Sequence, residues 1–284
     1  MRERQPPTIA MFTALYVMSD AVIILGSASV IAVLSILVVR IVSPVLPEPG
    51  KDTMDLVTRT LGMTGGILTF ILAFTIVQAT SELGRVAETI NNEARMISVV
   101  DRALLHFDAE ATAPTRELLT RYAVSILKDE WPEMLKRSHS QQTAALISQV
   151  SRSINELMPT SSRQEIIFAE LLRDGQMLEL KRGERLLHAE STRVSGAFWL
   201  VIAVLLGATM LLTAFSKPSA VSILMIAMFG LLIGFLIVLD EPFFGSSGVR
   251  PEPFRRMLTM LSSTPTIGAD DLRTIGVTSM SLKN

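Results

Sequence analysis

The sequence contains no cysteine. Disulfides, thiolate metal sites and a cysteine nucleophile are therefore excluded. Histidine is scarce too. His106, His139 and His188 are scattered, with no metal-ligating partner three or four positions away, so neither a metal nor another cofactor is expected. An excess of charge of one sign is also lacking: 26 Lys and Arg stand against 27 Asp and Glu, for a formal net charge of −1. A nucleic-acid binder should show a basic face, so nucleic acid is not an expected partner. There is no Gly-rich phosphate loop, no Gly-x-Ser-x-Gly elbow and no kinase-like set, and no serine sits in a catalytic context. The chain is expected not to be an enzyme.

The absence that decides the class is local. Apolar residues make up 49%, close to a soluble average, but residues 21–39, 60–81, 194–216 and 219–239 carry no charge at all. Each run is long enough to cross a hydrocarbon core of about 30 Å as a helix. A soluble globular enzyme is excluded, and a four-span, all-α protein of the lipid bilayer is expected. The first run is not a convincing signal peptide. It is followed by Arg40-Ile-Val-Ser-Pro44 rather than a small-x-small cleavage site, and reads as a retained anchor.

Four spans place both termini on one side, with the long segment between spans two and three. That side carries Arg2, Arg4, Arg85, Arg95, Lys181, Arg182, Arg185, Arg193, Arg250, Arg255 and Arg256 near the membrane. The other side has only Arg40, Lys51, Arg59 and Lys217. Basic residues favour the cytoplasm, so both termini are expected inside.

The organisation follows. Residues 1–81 hold an N-terminal segment with span one (about 21–42) and span two (about 60–81). The outer loop 43–59, with Pro44, Pro47, Pro49 and Gly50, reads as a hairpin cap. Residues 82–193 form a charged cytoplasmic helical bundle, with apolar positions at helical spacing from Val86, Ile90, Ala94 and Ile97 onward. Pro114 suits the first turn of a new helix, and Trp131-Pro132 marks a kink or stop. A third helix is predicted over about 141–157. A fourth starts after Ser161-Ser162 and reads through to span three. Residues 194–239 make a transmembrane hairpin turning at Lys217-Pro218. The tail 240–284 opens with turn chemistry and contains a short amphipathic helix at about 255–261.

Two features point to function. Gly62-xxx-Gly66 and Gly230-xxx-Gly234 allow close helix approach, either within one subunit or between subunits. Span two is unusually polar, with Thr60, Thr64, Thr69, Thr75, Gln78, Thr80 and Ser81. Gly66, Phe70, Phe74 and Gln78 follow one another at i, i+4 as a slowly drifting stripe. The phenylalanines fit an ordinary core, or a hydrophobic constriction gated by dewetting if copies of the helix surround an axis. Glu82 comes one turn further along, at the expected cytoplasmic mouth, with Arg85 beyond it.

Leu68-Thr-Phe70-Ile-Leu-Ala-Phe74 resembles the Leu-Ser-Phe-Val-Leu-Gly-Phe run on the second span of bestrophin channels, and Pro242-Phe243-Phe244-Gly245 resembles their Asn-Pro-Phe-Gly turn after span four. More closely, Asn92-Glu93-Ala94, Tyr122…Glu130-Trp131-Pro132 and Leu239-Asp240-Glu241-Pro242-Phe243 are similar to an uncharacterised bacterial family named for a bestrophin-like domain, from about residue 60 to 260. The resemblance implies an oligomeric, pentameric ion channel of the bacterial cytoplasmic (inner) membrane, passing small inorganic ions. Phe70 and Phe74 would form the pore neck. Gly66 replaces a third bulky neck side chain, which implies a shorter or wider constriction. After Gly245 the chain reads Ser-Ser-Gly-Val-Arg instead of an acidic run, so Asp240 and Glu241 offer too few carboxylates for calcium. A ring of Glu82 side chains would attract cations, and Arg85 could pair with it or neutralise it, which leaves the sign of the ion open.

The alternative is a non-conducting scaffold or sensor whose helical bundle binds a partner. A transporter has less support, because no span contains a charge or paired Gly/Pro breaks.

Overall fold

The computed structural model describes residues 20–45, 50–191, 194–216, 220–241, 243 and 248–262. Among the described residues the chain is helical, with no strand. Its elements are α1 (Asp20–Val42), α2 (Lys51–Phe107), α3 (Ala113–Ser125), a π turn (Ile126–Glu130), α4 (Trp131–Met134), α5 (Gln141–Asn155), α6 (Ser162–Glu190), α7 (Gly196–Phe215), α8 (Ala220–Asp240) and α9 (Glu252–Ser262). Four of these, α1, α2, α7 and α8, are long and apolar enough to cross a membrane. Clustering separates two compact units, Met1–Gly84 with Thr192–Val249 and Arg85–Ser191 with Arg250–Asn284.

Several boundaries differ from the sequence-based expectation. Most of the outer loop is helix, because α2 begins at Lys51 directly after the Pro47, Pro49 and Gly50 cluster, and Met54 N–H donates to the Gly50 carbonyl at 2.9 Å. The charged residues Lys51, Asp52, Asp55 and Arg59 keep a helical period beyond the apolar run, with an exposed Asp55–Arg59 pair. A second change is at span three. Helix α6 stops at Glu190 and does not read through, since Ser191 adopts an extended conformation (φ −90°, ψ 140°). Ser195 then caps α7 by accepting from Ala197 N–H, and the Asp240 carboxylate accepts from Val194 N–H at 2.8 Å. The Ser195 hydroxyl from within the segment and the Asp240 carboxylate from the end of α8 thus supply acceptors at the new helix start. Helix α5 ends at Asn155, and Ser140 and Ser161 cap α5 and α6. The tail helix starts earlier than expected, at Glu252. Lys217-Pro218, Pro242 and Gly245 lie outside the described residues.

In the first unit α1 lies against α8. A Cβ on Gly230 would sit 2.7 Å from the Ala28 Cα, and one on Gly234 would meet Ser27 and the Ile24 backbone. The second glycine pair is thus a close contact within one chain. Around Gly62 and Gly66, by contrast, a Cβ would meet nothing within 4 Å. Helix α2 packs Leu68, Leu72 and Ala79 with Ile202 of α7 and Phe229, Ile233 and Leu236 of α8. Gly230→Ala forces two backbones apart, and overpacking of this kind costs about 1–3 kcal/mol. The expected result is a lowered unfolding temperature in detergent. Gly207→Ala, on α7 in open space, should leave it unchanged or raised.

Candidate functional site

The residues expected to line a pore all lie on α2. Leu68, Leu72, Thr75 and Ala79 form its buried face. Gly66, Phe70, Phe74 and Gln78 are exposed, Phe70 at 73% and Phe74 at 55%. They do not keep to one direction. An i, i+4 series turns by about 40° per step, so Gln78 stands about 120° and Glu82 about 160° round from Gly66. Glu82 is accordingly half-buried, whereas Arg85 is exposed. The residues that hold one exposed direction repeat every seven: Met63, Phe70 and Val77, at 71%, 73% and 67%. Phe74 stands at the edge of this face, with its ring 6.4 Å from that of Phe198 on α7.

The polar character of span two has a simpler origin than expected. Thr69, Thr75 and Thr80 each donate their hydroxyl to a carbonyl one turn back, on Gly65, Ile71 and Ile76, at 2.8, 2.7 and 3.0 Å. They need no water. Gln78 retains an exposed amide on the open side.

The second unit holds a buried ionic cluster. Arg185 of α6 has 0% exposure. Its Nε donates to Glu93 Oε2 at 2.5 Å, and its Nη2 donates to Glu93 Oε1 at 3.0 Å and to Glu130 Oε2 at 2.6 Å. Its remaining nitrogen, Nη1, contacts the Met134 sulfur, and the Phe254 ring of α9 lies 5.7 Å from the guanidinium carbon. Tyr122 of α3 donates its hydroxyl to Glu93 Oε1 at 2.8 Å. Arg182 completes the set by donating to Glu130 from Nε at 3.1 Å and from Nη2. Two carboxylates and two guanidiniums balance, which is the condition for burying charge at all. Nearby, Arg116 and Asp101 form a second buried pair, at 2.8 and 3.3 Å.

Local structure explains the convergence. In an uninterrupted α-helix Glu130 would lie about 80° round from Tyr122, eight residues earlier. The π turn widens the spiral there, and Trp131 N–H reaches the Ile126 carbonyl, five positions back. Tyr122, Ile126 and Glu130 consequently all stay fully buried. Pro132 follows without an N–H to offer, so the predicted kink takes the form of this π turn. Trp131 packs edge-on to Phe254, at 6.5 Å.

Arg185 and Tyr122 are both held in their protonated forms. Burial alone opposes the charge on Arg185, but Glu93 and then Glu130 more than offset it, so its pKa lies above the ordinary guanidinium value. Burial first, then the charge of Glu93, pushes the Tyr122 phenol well above its usual 10.0. The sign is clear. Below pH 10 both folded and unfolded chains keep the proton, and above it only the unfolded chain releases it, so this contribution to stability is lost at high pH.

After span four, Asp240 is the last residue of α8 and receives Val194 N–H, while Glu241 and Phe243 are buried. The turn therefore joins the ends of α7 and α8 through that hydrogen bond. Among the described residues no group of His, Cys, Asp and Glu is placed to hold a metal. Sequence reasoning missed Arg185 as the centre of the cluster, counting it only as a basic residue near the membrane. It also missed the Asp101–Arg116 pair.

A family model for the bestrophin-like domain matches residues 26–254, which covers every element from α1 into α9. The chain belongs to the bestrophin-like domain family. No curated protein and no solved structure matches it. With four membrane-length apolar helices, this member of the family is a membrane protein. Glu93, Tyr122 and Glu130, far apart in the sequence, all bond within the buried cluster around Arg185, and Trp131 packs on Phe254 beside it.

Removing one partner from a buried ion pair costs about 3–5 kcal/mol. Arg185→Met should therefore lower the unfolding temperature of the purified protein sharply, while Arg102→Met, at an exposed position of α2, leaves it nearly unchanged. In a Tyr16→Phe background, alkaline titration should produce no phenolate absorbance at pH 10–11 from the folded protein. Phenolate should appear only with unfolding.

Proposed function

We propose that the protein is a subunit of a homo-oligomeric ion channel of the bacterial cytoplasmic membrane, with several copies of α2 surrounding the pore. The observation that carries this reading is the open face of α2. Met63, Phe70 and Val77 are exposed in one direction, while the opposite face is fully engaged with α7 and α8. Gly62 and Gly66 leave space on the same helix for close approach by a neighbouring copy. The family assignment supports an oligomeric channel, with five copies as the bestrophin resemblance implies.

In this arrangement Phe70 forms the neck and Phe74 lies beside it, against Phe198. An apolar ring conducts only when wetted, so the neck acts as a hydrophobic gate. The distribution of basic residues supports cytoplasmic termini and a cytoplasmic helical unit. The protein is then a conduit and not a catalyst, with lipid and small inorganic ions as its partners. Of the two charges Glu82 and Arg85, Arg85 stands about 60° from the direction of Phe70 and Glu82 about 120°, so Arg85 is the one nearer the conduction face.

Currents across a planar bilayer under a salt gradient test the reading. Wild-type protein should give a reversal potential away from zero, and Phe70→Ala/Phe74→Ala should raise open probability or conductance. Arg85→Gln should shift the reversal potential more than Glu82→Gln does. A stably inserted oligomer that passes no current at any voltage would count against the channel reading.

A further inference from the structure

In the second unit α2 buries Val86, Ile90, Ile97, Val100 and Leu104 on one side. Its other side is open, and three exposed charges there repeat every seven residues: Glu88, Arg95 and Arg102. Glu88 lies about 180° round the helix from Ile97. At 3.6 residues per turn it also stands five whole turns beyond Phe70, so the two share one direction. Between Val77 and Glu88 that direction is held by Ser81 and Gly84, both exposed and neither charged. Glu88 is therefore the first charge met along the Phe70 face of α2 towards the second unit.

Two observations separate Glu88 from the charges just before it. Glu82 stands about 120° and Arg85 about 60° from the direction of Phe70. Each of those two is also already engaged by another group. Glu88 and Arg95, by contrast, have no hydrogen-bond or ion-pair partner among the described residues. An unpaired carboxylate offers its whole charge to ions in solution. Arg95 follows about 10 Å further along the helix axis. That is roughly one Debye length or more at physiological salt, so its field is largely screened at the level of Glu88. An ion on this face meets the two charges in turn.

We infer that Glu88 sets the sign of the permeant ion: one carboxylate from each copy forms a ring at the cytoplasmic mouth that concentrates inorganic cations. This rests on the channel reading, with the Phe70 face of α2 turned to the axis. The Arg95 ring comes second and opposes the first more weakly.

The test measures reversal potentials of the full chain in planar bilayers under a potassium chloride gradient. Wild-type protein should favour potassium. In about 0.1 M salt, Glu88→Gln should lower the cation-to-anion permeability ratio by about threefold or more. Arg95→Gln should raise the ratio by less, and Glu117→Gln, exposed on α3, should leave it unchanged. The Glu88→Gln effect should shrink in 1 M salt, where the Debye length falls to about 3 Å. Charge is separated from structure in Glu88→Cys, since the chain has no other cysteine. A sulfonate-bearing methanethiosulfonate reagent should restore the wild-type ratio, and a trimethylammonium-bearing one should lower it further. A wild-type preference for chloride, or a ratio moved neither by Glu88→Gln nor by charge added at position 88, would overturn the inference and leave the channel reading standing. No current from wild type or any variant would overturn the channel reading, and this inference with it.

Discussion

Helix α2 must keep one face buried in two different surroundings, and much of the structure follows from that constraint. Its buried positions run Leu68, Leu72, Thr75 and Ala79 in the first unit, then Val86, Ile90, Glu93, Ala94, Ile97, Val100, Asp101 and Leu104 in the second. Eighteen residues make five turns, so Val86 repeats the direction of Leu68 and Leu104 that of Val86. Because this face is committed along the whole helix, the opposite side is left with Phe70 and its heptad neighbours. An exposed aromatic face of this kind on a membrane-length helix is what the channel reading explains.

Within the helical unit the same face carries two acids, Glu93 and Asp101, at positions where leucine or isoleucine would otherwise serve. Each brings an arginine from another element: Arg185 from α6 and Arg116 from α3. Apolar contacts tolerate small slips of one helix along another, whereas a buried two-pronged ion pair does not, because a displaced charge loses its partner in a low-dielectric interior. The acids thereby fix the register of α3 and α6 against α2. The π turn serves the same end, since it keeps Glu130 in line with Tyr122.

What could be read from the sequence follows from which physical signals are local. The four apolar runs were legible because hydrocarbon excludes charge, and α1, α7 and α8 match them closely. The serine cap of α6 was legible because a cap is a contact over three residues. The start of α2 was hidden, since the charged stretch 51–59 reads as loop when hydropathy alone marks the span. At the break before α7, Val194 N–H finds Asp240, 46 residues away, and periodicity cannot show such a contact. Glu93, Tyr122, Glu130 and Trp131 were singled out through the family resemblance, but their common centre was not. Arg185 lies 92 positions from Glu93, and its charge alone looks the same as that of any exposed arginine. The pore stripe was drawn at i, i+4. The exposed direction instead repeats every seven residues, so Phe70 belongs to it fully and Glu82 does not.

The central claim is that copies of this chain meet around the Phe70 face of α2. A chain without cysteine allows that to be examined with single cysteines and an oxidant, on protein in its native membrane. Cysteine at Phe70 or Val77 should cross-link one copy to another, and cysteine at Leu34 on α1 should not. Efficient cross-linking through Leu34, with none through Phe70 or Val77, would contradict the account.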